Sequence, residues 1–359
     1  MDKRVLNYDH KLVLENGSVL EGLTITYHTA GELNEKRDNV IWVCHALTAN
    51  SDVSSWWPGM VGKGCVLDTD NYFIVCVNIL GSHYGTTGPL HTCPNTKSPY
   101  YHSFPLITIR DMVQVQEIVR QHEQISKIQL LIGGSMGGYQ ALEWSVMYPQ
   151  VIQKMVLLAT SAHESSWGIA IHTAQRMAIE TDTTWLEKTD TAGSKGLAVA
   201  RAIGMLTYRT YEAFESTQRD EDIHMTDGFK AASYMRYQGE KLVKRFNAFS
   251  YYILTKAMDT HNLARNRAES IEVVLQNISI PTLVISIHED LLCPPQEQKY
   301  LYENLQSASL ISIKSSFGHD GFLIETHQIS KHIKDWLNNY SLHQPPIEKN
   351  TDEVVKIKN

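Results

Sequence analysis

The chain has 359 residues, 43% of them hydrophobic, and a formal net charge of −7 with acids and bases mixed along its length. That length supports a sizeable core, built as two units or as one large α/β domain carrying an insertion. The charge balance excludes a basic nucleic-acid footprint, and no apolar stretch approaches the length of a membrane span.

Alternating polar and apolar residues over 11–14 and 20–27 predict antiparallel strands joined by a turn at Asn16-Gly17. Short continuous apolar runs then occur at 40–44, 72–78, 128–132, 155–159, 282–287 and 308–313. Runs of this kind suit strands buried on both faces, as in a parallel sheet. Helical spacing lies between several of them. Residues 109–122 put Met112, Val115, Ile118 and Val119 on one face, and residues 138–148 do the same with Ala141, Leu142, Ser145 and Val146. Strands alternating with helices predict a doubly wound, mostly parallel α/β sheet.

Strand signals vanish between about His163 and Ile278, where the composition turns helical. This segment reads as a helical cap inserted between two βα units. The expected division is a core of 1–162 and 278–343, a cap of 163–277, and a polar, frayed tail of 344–359.

The N-terminus, MDKRVLNYDHKLVLENG, has no continuous apolar segment of the signal-peptide kind. The five cysteines (Cys44, Cys65, Cys76, Cys93 and Cys293) are odd in number and form no C-x-x-C pair. They read as free thiols in a reducing compartment, not as a metal site or disulfide frame. The expectation is a cytoplasmic protein with no metal, no membrane and no nucleic-acid partner.

The chemistry centres on Gly133-Gly134-Ser135-Met136-Gly137-Gly138. A predicted strand precedes this run and a predicted helix follows it, the context in which G-x-S-x-G marks a nucleophile elbow. Glycines two residues before and two after the serine remove side chains that a sharp turn would crowd. Ser135 then sits near a helix N-terminus, which favours negative charge, and the Met136 N–H is placed to donate to an oxyanion. The spacing fits neither G-x-G-x-x-G dinucleotide binding nor, at Gly62-Lys63-Gly64, a phosphate-binding loop.

A serine hydroxyl needs a base, and the base needs an orienting acid. In α/β hydrolases these follow in the order Ser, Asp or Glu, His. His319 follows the predicted strand 308–313, and Asp290 follows 282–287, so both fall at strand ends. Glu289 is the rival acid, and Asp290 is preferred because Leu291, Leu292 and Pro294-Pro295 are expected to bury the loop beneath it. The loop after 40–44 supplies a second oxyanion donor, assigned to the Leu47 N–H, with His45 packing under that loop. Lys241, Lys244 and Arg245 read as a solvated helix face.

These motifs resemble those of the homoserine O-acetyltransferase family of α/β hydrolases. The likeness runs from Gly31-Glu32-Leu33-Asn34 through His45-Ala46-Leu47-Thr48, Val77-Asn78-Ile79-Leu80-Gly81-Ser82 and Gly85-Thr86-Thr87-Gly88-Pro89. It continues through Phe104-Pro105-Leu106-Ile107-Thr108-Ile109-Arg110-Asp111-Met112, the elbow, Tyr234-Met235-Arg236-Tyr237-Gln238-Gly239 and Gly318-His319-Asp320 to Phe322-Leu323. The resemblance implies acetyl transfer from acetyl-CoA, as co-substrate and not resident cofactor, to the hydroxyl of L-homoserine, a step toward methionine. It implies Ser135, Asp290 and His319 as a triad, Arg201, Tyr208 and Asp320 as homoserine-binding residues, and a homodimer through the cap. The chain departs from the family's pattern at Ala49, Tyr139, Gly321 and Cys293, and Ala49 and Tyr139 are expected at the acyl pocket. A succinyl donor, a serine substrate or a plain esterase remains an alternative to acetyl transfer onto homoserine.

Overall fold

The computed structural model describes residues 1–342, so the expected polar tail lies outside the described residues. In chain order the elements are β1 (Asp2–Tyr8), β2 (Leu12–Val13), β3 (Val19–Leu20), β4 (Leu23–Ala30), β5 (Val40–Cys44) and β6 (Phe73–Val77). Then come α1 (Ile109–His122), β7 (Ile128–Gly134), α2 (Met136–Met147) and β8 (Met155–Leu158). A helical stretch follows: α3 (Ser166–Glu180), α4 (Ser194–Tyr208), α5 (Tyr211–Gln218), α6 (Lys230–Val243), α7 (Ala248–Asp259) and α8 (Ile271–Gln276). The chain returns through β9 (Thr282–Ile287), α9 (Pro295–Asn304), β10 (Ala308–Ile313), α10 (Gly321–Ile324) and α11 (Thr326–Leu342).

Eight strands form one sheet in the order β1-β4-β6-β5-β7-β8-β9-β10. From β6 to β10 neighbouring strands run parallel. Every residue of β5, β6, β8 and β9 is buried, which is why these segments carry no polar alternation. Two apolar clusters cover the sheet. One contains Trp42, Leu131, Leu142 and Trp144, and the other contains Ile41, Ile132, Ile285 and Ile333. The first cluster also takes in Leu197, Ala200, Phe249 and Leu254, so its packing passes from the sheet into α4 and α7 without a break.

The N-terminal region differs from its prediction. The turn at Asn16-Gly17 joins only the two-residue strands β2 and β3. The long strand β4 pairs antiparallel with β1 from Leu23 to Thr29 and with β6 on its other side. That pairing is set by tertiary burial, since β4 is largely buried while β1 is largely exposed at the sheet edge.

Helix starts are secured locally. Thr108 and Asp111 form a capping box at α1, and Ser165, Thr210, Asn247 and Ser270 cap α3, α5, α7 and α8. No helix among the described residues is long and apolar enough to cross a membrane.

Candidate active site

The carboxyl ends of β5, β7, β9 and β10 bring the predicted residues to one place, as open parallel sheets do. Ser135 lies between β7 and α2 with φ +54° and ψ −128°, a conformation costly for a residue with a side chain. The glycines around it show why the turn closes. A Cβ on Gly133 would stand 2.2 Å from the Gly137 carbonyl oxygen, and one on Gly137 would stand 2.1 Å from that of Cys44. Ser135 is further fixed by its N–H on the Leu158 carbonyl at 2.9 Å and by Thr160 Oγ1 donating to its carbonyl at 2.8 Å.

The Ser135 hydroxyl meets His319 Nε2 at 2.9 Å, and His319 Nδ1 donates to Asp290 Oδ2 at 2.7 Å. All three residues are buried. Burial pushes the His319 pKa down, but the charge and hydrogen bond of Asp290 outweigh it, and the net shift is upward. Asp290 is held in turn, its Oδ1 accepting from the Leu292 and Cys293 amides at 2.8 Å each. Glu289 instead accepts from the Ser315 amide at 2.8 Å, away from the base. Leu291, expected beneath this loop, is 55% exposed; Leu292 and Cys293 do the burying.

Leu47 lines the same cavity as Ser135. Among the described residues, neither the Leu47 nor the Met136 backbone N–H has a hydrogen-bond acceptor. The peptide carrying the Leu47 N–H is oriented from its other end. The Ala46 carbonyl accepts from His45 Nδ1 at 2.9 Å and from the Ala49 N–H at 3.1 Å. His45 Nε2 accepts from the Ile79 N–H at 3.2 Å, which fixes the tautomer. Burial lowers the His45 pKa to about 4, so the ring stays neutral. His45 is thus wholly buried under the loop, as expected, and also aims it.

A cavity of about 460 Å³ opens above Ser135 and is lined by Arg201, Tyr208, Asp320, Ala49, His172, Gln175 and Arg245 among others. The Arg201 guanidinium lies 5.2 Å from the Tyr208 ring centroid. No carboxylate among the described residues pairs with Arg201, which leaves a cation facing the cavity. Asp320 accepts from Arg209 Nε at 2.8 Å through one oxygen.

Two readings are corrected here. Tyr139 lies outside the cavity lining: it is buried, stacks on His261 at 4.1 Å between centroids, and its hydroxyl lies 3.1 Å from Glu164 Oε2. Arg245 does more than sit on a solvated face. Its Nη1 donates to the Thr48 carbonyl at 2.5 Å and to the Tyr84 hydroxyl at 2.6 Å, joining the segment between α6 and α7 to the loop after Leu47. Sequence reasoning also passed over His172 and Gln175, whose spacing on α3 is indistinguishable from an ordinary core face. No group of three or more His, Cys, Asp or Glu that could hold a metal occurs among the described residues.

The chain is similar to known proteins over most of its length. The family model of the α/β hydrolase fold matches residues 39–326. A homoserine O-acetyltransferase of Trichormus variabilis is 44% identical over 92% of this chain and 92% of its own. The crystal structure of a homoserine O-acetyltransferase from Bacillus anthracis superposes with a TM-score of 0.87 at 25% identity, covering 94% of this chain and 97% of that one. The crystal structure of esterase E22 shares the fold, with a TM-score of 0.85 at 23% identity over 94% and 99% of the two chains. With sequence relatedness of that degree across nearly its whole length, the chain belongs to the homoserine O-acetyltransferase family of α/β hydrolases.

Proposed function

We propose that this protein transfers an acetyl group from acetyl-CoA to the hydroxyl of L-homoserine, giving O-acetyl-L-homoserine for methionine biosynthesis. The observation that carries the proposal is the continuous Ser135–His319–Asp290 chain at the floor of a cavity that also holds the unpaired cation of Arg201. In this reading His319 takes the Ser135 proton as Oγ attacks the thioester. The Leu47 and Met136 N–H groups receive the oxyanion. The thiolate of CoA leaves with the proton from His319, and Ser135 holds the acetyl group.

Homoserine then enters, its carboxylate on the Arg201 guanidinium beside Tyr208 and its ammonium toward Asp320. His319 deprotonates its hydroxyl, which attacks the acyl-enzyme, and the second tetrahedral intermediate collapses to product with Ser135 reprotonated. Transfer wins over hydrolysis where the site positions the amino acid and excludes water. The cap helices that wall the cavity serve both ends.

Steady-state assays of acetyl-CoA and succinyl-CoA against L-homoserine and L-serine test the proposal. The expected result is ping-pong kinetics, with acetyl-CoA and homoserine the preferred pair and Ser135→Ala at least about a thousandfold slower. Preference for succinyl-CoA or serine, or acetate release without homoserine at the rate of transfer, would overturn it.

A further inference from the structure

A second histidine–aspartate pair, besides that of the triad, borders the cavity through its histidine. His172, on α3, lines the cavity and is almost wholly buried. Its Nδ1 donates to Asp259 Oδ1 at 2.8 Å, while the other oxygen of Asp259 accepts from Arg176 Nη2 at 2.6 Å. A carboxylate accepts only, so Nδ1, which also has Glu164 Oε2 at 4.0 Å, carries a proton, and Nε2 is the ring nitrogen that can present a lone pair. No protein group among the described residues hydrogen-bonds Nε2, and His172 is one of the cavity's lining residues. One turn further along, Gln175 lines the same wall, and its Oε1 is buried without a partner. Buried polar atoms are normally satisfied, so this wall holds more accepting capacity than the protein uses.

The wall adjoins the candidate carboxylate site. A Cβ built on Gly204 would meet the Gln175 amide at 3.0 Å and the Tyr208 ring at 3.1 Å, so Gln175 packs on the α4 face that carries Arg201 and Tyr208. Asp320, the other ammonium partner, already shares its charge with Arg209. We propose that His172 Nε2 accepts a hydrogen bond from the ammonium of the amino-acid substrate, with Asp259 holding the ring in the tautomer that makes this possible. His172 is then a specificity-determining residue that distinguishes an α-amino acid from a hydroxy acid of the same length. This rests on the reading of the substrate as homoserine.

The test uses the full chain and two substrates, L-homoserine and 4-hydroxybutanoate, which lacks only the ammonium. The quantity read is the ratio of their kcat/KM values in wild type, His172→Asn and His172→Gln. Asn reproduces the Nδ1 donor to Asp259 and lacks the atom at Nε2, whereas Gln places a polar atom near Nε2 and gives up the Asp259 bond. The preference for homoserine should fall by on the order of tenfold to a hundredfold in His172→Asn, the worth of one hydrogen bond to a charged group, chiefly through KM. His172→Gln should retain most of it. A purely structural His172 gives the opposite ranking, which would overturn the inference, as would an unchanged ratio in a His172→Asn protein that still releases CoA. Should His172→Asn not fold, imidazole ¹⁵N spectra of the wild type decide. The His172 Nε2 resonance should shift with homoserine and not with 4-hydroxybutanoate, and no shift with homoserine overturns the inference. A wild type that acetylates no amino acid at all counts against the proposed function instead.

Discussion

At the scale of single residues, the proposed chemistry turns on the balance at His319. Burial disfavours its charged form, yet Asp290 at 2.7 Å raises its pKa above the ordinary 6.5. A general base works only when unprotonated. Activity should therefore fall as pH drops through a limb that lies above 6.5, and kcat/KM reports that limb for the free enzyme. Asp290→Asn removes the charge that raises the pKa, so the limb should move to lower pH. Turnover should fall by about 10⁴-fold, because the amide no longer holds the productive tautomer. A pH–rate profile of both proteins checks this, and a limb that stays in place would show that Asp290 is not its source. Ser135, Asp290 and His319 were legible because order and strand-end position are written in the chain. Arg201 came only with the family resemblance, since by composition and spacing one arginine on a helix looks like any other until the fold turns it toward a cavity. Arg245 escaped for the same reason, its two partners lying 197 and 161 residues away.

At the scale of elements, the elbow is a packing problem solved by glycine. Gly137, in the first turn of α2, abuts the end of β5, where an added Cβ would meet the Cys44 carbonyl. An alanine there meets backbone, not a side chain that can swing away. Gly137→Ala should destabilise the protein by more than about 3 kcal/mol, seen as loss of soluble protein or a large fall in melting temperature. A protein of near wild-type stability would mean that the strand and helix can separate at little cost. The parallel strands were legible for a related reason: burial on both faces leaves uninterrupted apolar runs, and β9 and β10 lie at their predicted bounds. The antiparallel edge was not. β1 and β4 pair through residues about twenty positions apart, and nothing in either strand's own pattern names its partner. The helical stretch between β8 and β9 was legible as composition, but its individual helices depend on caps and contacts that periodicity blurs.

At the scale of the whole molecule, α4 presents apolar side chains to solvent, including Val199 and Leu206, seven residues apart, at 53% and 60% exposure. A homodimer through the cap, which the family resemblance implies, would cover such residues. Val199→Asp combined with Leu206→Asp should then shift the protein from dimer to monomer in sedimentation, and an unchanged mass would place any interface elsewhere. A last consequence concerns what the fold forgoes for its chemistry. Ser135 occupies backbone geometry that suits glycine, at a cost of about 1–3 kcal/mol. Glycine is ordinarily less stabilising than alanine. At this position the ranking should invert, with Ser135→Gly melting a degree or two above Ser135→Ala, both of them inactive. The native serine thus marks a point where the molecule has settled below its attainable durability, and the shortfall is the measure of how firmly one hydroxyl is held out toward its substrate.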